Sequence, residues 1–253
     1  MTIAILYLAC KKVGLEYDFL LFGYTILLLI TGTKQYFLFE TIFFGMGSPS
    51  WFNENVAIVR LITEAIYDNR IKGVDKFKVR VHPVHVIRQD KNRQILELFD
   101  IQRMYPDILT VVQPTMKPLD FGYDFSERDL IDLIECISSS DVLITQFSTL
   151  MLEAAILEKP IVNIGFDKIR QINMTSGNAC TKETHIEWIL SYKFTKIANS
   201  RTDLINMVNK YIKKPLTDAD NRLKVSNEVC SVNRGCSGRA VSDYLLDLIS
   251  SNT

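Results

Sequence analysis

Cysteine is scarce in this chain and badly spaced for chemistry. There are five, Cys10, Cys136, Cys180, Cys230 and Cys236. The number is odd and no two form a C-x-x-C pair. That argues against a disulfide framework or a zinc site and fits a reducing, cytoplasmic compartment. Long hydrophobic runs are also missing. Residues 3–9 and 19–30 are apolar, but neither run reaches the roughly 18–20 residues that span a bilayer. Lys11 and Lys12 follow the first run instead of preceding it, the wrong order for a signal peptide. Membrane contact is therefore expected to be peripheral at most, at the inner face. An excess of one charge is absent too: 29 Lys and Arg balance 29 Asp and Glu. No global field draws the chain to nucleic acid.

Several signatures are lacking. Without G-x-G-x-x-G or G-x-x-x-x-G-K-[ST], neither a redox Rossmann domain nor a P-loop is favoured. Without G-x-S-x-G, a hydrolase elbow is not supported. His85 and His185 have no companion cysteines or carboxylates at metal spacing, so no metal is expected.

What is present is an alternation. The chain has 253 residues, 47% of them apolar, enough for a substantial α/β core. Strand-like runs fall at residues 25–30, 77–82, 109–112, 142–145, 161–164 and 194–197. The first, TILLLI, is continuous, as for a strand covered on both faces. Helical spacing links Ile58, Val59, Ile62, Ala65 and Ile66, and residues 89–99 suit another helix. Leu130, Leu133, Ile134 and Ile137 share one face, with Ser126 and Asp129 as a capping pair before them. Leu204, Met207, Val208 and Tyr211 make a further stripe, and Val241, Tyr244, Leu245 and Leu248 mark a closing helix. The longest loops are residues 45–53 and 113–126.

This pattern predicts an α/β fold: a single Rossmann-like, doubly wound parallel sheet of about six strands over residues 25–253. In the common strand order the first and fourth strands are neighbours, and ligands bind at their carboxyl ends. That places the turn Thr31-Gly32-Thr33 opposite the turn Gln146-Phe147-Ser148-Thr149.

The segment 141–166, DVLITQFSTLMLEAAILEKPIVNIGF, reads as strand, polar turn, helix, strand. A helix start offers unpaired N–H groups and positive partial charge, which suit a phosphate. Ser148 reads either as a plain N-cap or as a cap that also touches phosphate. Glu153 reads either as an ordinary helix residue or as an acid that holds a sugar hydroxyl. Lys78, Arg80 and His82 share one face of their strand by alternation. His82, at the strand's end, suits a proton shuttle or phosphate contact, or a His satisfied by backbone at a His-Pro turn.

The run SDVLITQFSTLMLEAAILEKPIVNI, the strand ending Val81-His82-Pro83 and the GCSGR turn at residues 235–239 together resemble one family group. It is the C-terminal, donor-binding half of GT-B-type glycosyltransferases and their relatives. Those relatives include UDP-N-acetylglucosamine 2-epimerases and CDP-glycerol glycerophosphotransferases of bacterial surface polymer synthesis. The resemblance implies a metal-independent glycosyltransferase that needs no obligatory cofactor and uses a nucleotide-diphosphate sugar. Its acceptor would be a glycan or lipid-linked acceptor. Epimerase and glycerophosphotransferase chemistry are the alternatives. The likeness implies that Ser148 and Thr149 hold the donor diphosphate, with Glu153 at the ribose and residues 113–126 near the base. Thr31, Gly32, Thr33 and Gln146, on the two facing turns, are further donor-binding candidates, and His82 at its strand end is the catalytic candidate. Residues 1–24 would be the remnant of a missing N-terminal domain. In that case the chain could be a nucleotide-sugar-binding subunit that needs a partner chain to supply the acceptor domain.

Overall fold

The computed structural model describes residues 41–46, 55–83, 86, 93–118, 123–166, 184–230 and 235–251. The elements in chain order begin with β1 (Thr41–Gly45), α1 (Asn55–Tyr67), β2 (Lys76–Arg80), α2 (Arg93–Met104) and β3 (Leu109–Val112). Next come β4 (Met116–Pro118), β5 (Tyr123–Phe125), α3 (Glu127–Ser138), β6 (Val142–Thr145), α4 (Leu150–Ile156) and β7 (Ile161–Ile164). The series closes with α5 (Thr184–Leu190), β8 (Lys196–Ala198), α6 (Arg201–Lys213), α7 (Ala219–Val229) and α8 (Ser237–Ser251). The described residues fall into two compact units, one within Leu38–Ser226 and one within Asn227–Thr253. The sheet lies in the first.

Six strands form one sheet in the order β3-β2-β1-β6-β7-β8, and every pairing in it is parallel. Counted along the sheet's own strands this is the doubly wound order, with a switch point between the first and the fourth. The expected fold class is therefore the observed one. The identity of the strand at the switch point differs from the expectation. Thr41–Gly45, TIFFG, pairs with β6, whereas residues 25–34, with Thr31, Gly32 and Thr33, lie outside the described residues. The apolar stretch FLFETIFF carries no alternation because β1 is buried along its whole length. A second apolar run nearby at residues 25–30 competes with it in the sequence.

Alternation along each strand divides the core in two. Ile42, Phe44, Phe77, Val79, Val142, Ile144, Val162 and Ile164 point to one face. There they pack with Ile58 and Ile62 of α1, Leu98 and Ile101 of α2, and Leu204 and Val208 of α6. Full burial of such side chains contributes roughly 1.5–3 kcal/mol each. The opposite face carries Phe43, Leu143 and Ile161, also fully buried. Helices α3 and α4 cover that face, through Lys78 Nζ donating to Ser139 Oγ at 3.0 Å and Met151 Sδ against Asn163 Nδ2 at 3.0 Å.

Residues 113–126 are more than a loop. Met116–Pro118 and Tyr123–Phe125 pair as an antiparallel ribbon. Three-residue strands leave no periodic signal to read. Helix α8 is the expected closing helix, and Val241, Tyr244, Leu245 and Leu248 on it are exposed.

Gly165, just past β7, shows how tightly the β7–β8 edge is closed. A Cβ there would lie 2.6 Å from Ile197 Cγ2 and 3.0 Å from the Ala198 carbonyl oxygen. Neither a β-branched side chain nor a strand backbone yields easily. Gly165→Ala is expected to cost about 1–3 kcal/mol through overpacking, measured as a lowered denaturant midpoint.

Candidate functional site

Register places four residues side by side across the carboxyl end of the sheet. Gly45 is the partner of Arg80. Phe44 pairs with Ile144, so Gly45 sits beside Thr145, and Thr145 pairs with Asn163. Arg80, Thr145 and Asn163 are buried, at 7%, 0% and 0% exposure. A polar row thus runs beneath α3 and α4, where an apolar row would be the ordinary choice. Gly45 has no side chain in this row because Leu150, the first residue of α4, fills the space where its Cβ would stand.

Arg80 is held by charge. Its Nη2 donates to Asp129 Oδ2 at 2.6 Å, with side-chain exposures of 8% and 2%. The other oxygen, Asp129 Oδ1, accepts from the Thr115 N–H at 2.8 Å. The expected capping pair is therefore half observed. Ser126 Oγ accepts from the Asp129 N–H at 3.1 Å, but the Asp129 carboxylate turns inward to Arg80 instead of back to Ser126. A buried arginine outweighs an exposed cap, because its desolvation is offset only by a charged, hydrogen-bonded partner.

Four buried polar atoms at this edge have no hydrogen-bond partner among the described residues: Arg80 Nη1, Thr145 Oγ1, Gln146 Oε1 and Glu153 Oε2. Buried polar atoms are ordinarily paired, so this cluster makes the edge the candidate binding site. Burial pushes the Glu153 carboxyl above the ordinary glutamate value, and the nearby Arg80 charge opposes this only in part.

The turn after β6 carries the remaining candidates. Gln146 Nε2 donates to Asn55 Oδ1 at 3.1 Å, which bridges the loops after β6 and before α1. Phe147 has φ of 51°, a left-handed conformation that costs a residue with a Cβ about 1–2 kcal/mol. Its side chain is buried. Ser148 Oγ accepts from the Leu150 N–H at 3.1 Å, but the N-cap of α4 is Thr149 and not Ser148 as the sequence suggested. Thr149 has φ −57° and ψ −20° and makes no side-chain capping bond. Ser148 is half-buried and Thr149 exposed. His82 is half-buried two residues beyond β2, at the same end of the sheet. The described residues thus bring His82, Gln146, Ser148, Thr149 and Glu153 to one edge. Sequence reading missed Asp129 and Asn163 as parts of it. The single asparagine inside the apolar strand IVNI was the available signal.

Among the described residues no group of His, Cys, Asp and Glu could hold a metal ion, and no helix is long and apolar enough to cross a membrane.

Comparison with solved structures finds UDP-GlcNAc 2-epimerase from Neisseria meningitidis bound to UDP-GlcNAc. It is 13% identical with a TM-score of 0.46, over 91% of this chain and 52% of that one. It also finds the wall teichoic acid polymerase TagF, 15% identical with a TM-score of 0.48, over 88% of this chain and 45% of that one. The chain spans about half the length of these proteins. A comparison with curated proteins finds no match. Residues 68–247 match the family model described as CDP-glycerol:poly(glycerophosphate) glycerophosphotransferase, a stretch that runs from the end of α1 to α8 and contains Arg80, His82, Asp129, the 146–149 turn, Glu153 and Asn163. The chain therefore belongs to the CDP-glycerol:poly(glycerophosphate) glycerophosphotransferase family.

Proposed function

We propose that this chain binds CDP-glycerol at the carboxyl edge of β1 and β6 and serves glycerophosphate transfer in the synthesis of a cell-surface polymer. The observation that carries this reading is the unpaired polar cluster of Arg80, Thr145, Gln146 and Glu153 at the switch point, inside the family match. Family membership favours phosphotransfer over the glycosyl transfer and epimerisation that the sequence left open.

The roles follow from charge and access. The donor diphosphate is anionic, and Ser148 and Thr149 offer hydroxyls to it from the turn. Arg80, fixed beneath by Asp129, supplies positive charge in a buried setting, where it acts more strongly than at a surface. Glu153 accepts a hydrogen bond from a donor hydroxyl. In the transfer step an acceptor hydroxyl oxygen forms a bond to the distal phosphorus. The bond from that phosphorus to the bridging oxygen breaks, and CMP leaves. His82, from the strand end, receives the acceptor's proton.

Calorimetric titration of the folded chain tests the pocket. Saturable binding of CDP-glycerol is expected, and Ser148→Ala should weaken it about fivefold, the effect of one hydrogen bond of ~1 kcal/mol. An unchanged affinity in Ser148→Ala would remove that residue from the site.

A further inference from the structure

The turn that bears Ser148 and Thr149 has no glycine, yet its second residue sits in the left-handed region. Something outside the turn must hold Phe147 there. Asn163 Oδ1 accepts from the Phe147 N–H at 2.9 Å, across the β6–β7 pair. Asn163 is itself fixed from behind. Its Nδ2 donates to Thr195 Oγ1 at 2.9 Å and faces Met151 Sδ of α4 at 3.0 Å. Thr195 Oγ1 in turn donates to the Ile161 carbonyl at 2.9 Å. Asn163 is fully buried in a strand with neighbours on both sides, where an aliphatic residue would pack without polar cost. An amide suits this position because it can accept from the turn and donate into the sheet at once.

We propose that Asn163 is a positioning residue for the donor turn: it locks Phe147 in its left-handed conformation and so sets the direction in which the Ser148 and Thr149 hydroxyls face. This rests on the reading of that turn as the diphosphate-binding element. Thr195 serves as the built-in control. Thr195→Val breaks the same network on the side away from the turn and leaves the Phe147 contact in place.

The test combines hydrogen exchange of the Phe147 amide, read by NMR on the ligand-free chain, with CDP-glycerol titration. In Asn163→Ala the Phe147 amide is expected to lose its protection and the dissociation constant to rise about fivefold, one hydrogen bond's worth. In Thr195→Val, protection is retained and affinity stays within about twofold, although the melting temperature falls. Should Asn163→Ala fail to fold, Asn163→Asp supplies the reading. Its side-chain oxygen still accepts from the Phe147 N–H whether or not the carboxyl is ionised, so protection and affinity are expected to stay near those of the wild type, and lost Phe147 protection in Asn163→Asp overturns the lock. Unaltered Phe147 exchange in Asn163→Ala overturns the lock. Altered exchange with unaltered affinity, or equal affinity losses in Asn163→Ala and Thr195→Val, overturns the positioning role. Wild-type protein that does not bind CDP-glycerol overturns the donor reading, and the exchange result then stands apart from it.

Discussion

Asp129→Ala is expected to lower the unfolding free energy by about 3–5 kcal/mol, because it strands a buried charge. Asp129 accepts from Arg80 at 2.6 Å and from the Thr115 N–H at 2.8 Å. Removing its carboxylate leaves a guanidinium with 8% side-chain exposure and no counter-charge, and an amide that must find another acceptor. The Ser126 cap is untouched, since Ser126 Oγ bonds to the Asp129 backbone, so the loss reports the ion pair and not the helix start. Urea unfolding monitored by circular dichroism measures it. The double replacement Arg80→Met with Asp129→Leu should recover most of the stability, as apolar replacements of buried ion pairs do. It should still fail to bind CDP-glycerol, because the charge beneath the turn is gone. A single-variant loss below about 1 kcal/mol would mean the pair is better solvated than its burial implies.

Glu153→Gln separates stability from binding in the opposite sense. Burial raises the Glu153 pKa above its ordinary value, so the folded protein holds a proton there that the unfolded chain has already released. Stability from this group is fully present below the ordinary glutamate value. It declines as pH rises through the raised folded value and is absent above that. Glutamine removes the dependence, so the variant's stability relative to wild type should climb with pH over that window and leave it the more stable protein at neutral pH. Donor affinity should move the other way. Glutamine keeps an acceptor oxygen but not its charge, and exchanging a charged acceptor for a neutral one costs about 1 kcal/mol, or roughly fivefold in the dissociation constant. Melting curves from pH 4 to pH 8, paired with CDP-glycerol titrations, read both. A variant that binds as tightly as wild type would take Glu153 out of the donor site.

Strands β2, β3, β6 and β7 were legible because short apolar or alternating runs ending at a proline, a polar turn or a glycine have few other meanings. Their bounds agree with the expectation to within two residues. β1 was not, since a strand buried along its whole length shows no alternation to set it apart from a nearby apolar run. Helices α5 and α7 also went unread. In α7 the buried residues are Arg222, Val225 and Ser226; two of the three are polar, and polar burial leaves no apolar stripe. The 146–149 turn and Glu153 were visible as a local pattern. Their surroundings were not, because Arg80 meets Asp129 across 49 residues of sequence and Phe147 meets Asn163 across 16. Such pairs depend on register, which only the assembled sheet supplies.

The most direct test of the account is a crystal structure of the chain with CDP-glycerol. The account predicts the donor at the carboxyl edge of β1 and β6, its diphosphate within hydrogen-bond distance of Ser148 and Thr149, and one of its hydroxyls on Glu153. Well-ordered CDP-glycerol bound elsewhere, with the 146–149 turn untouched, would contradict it.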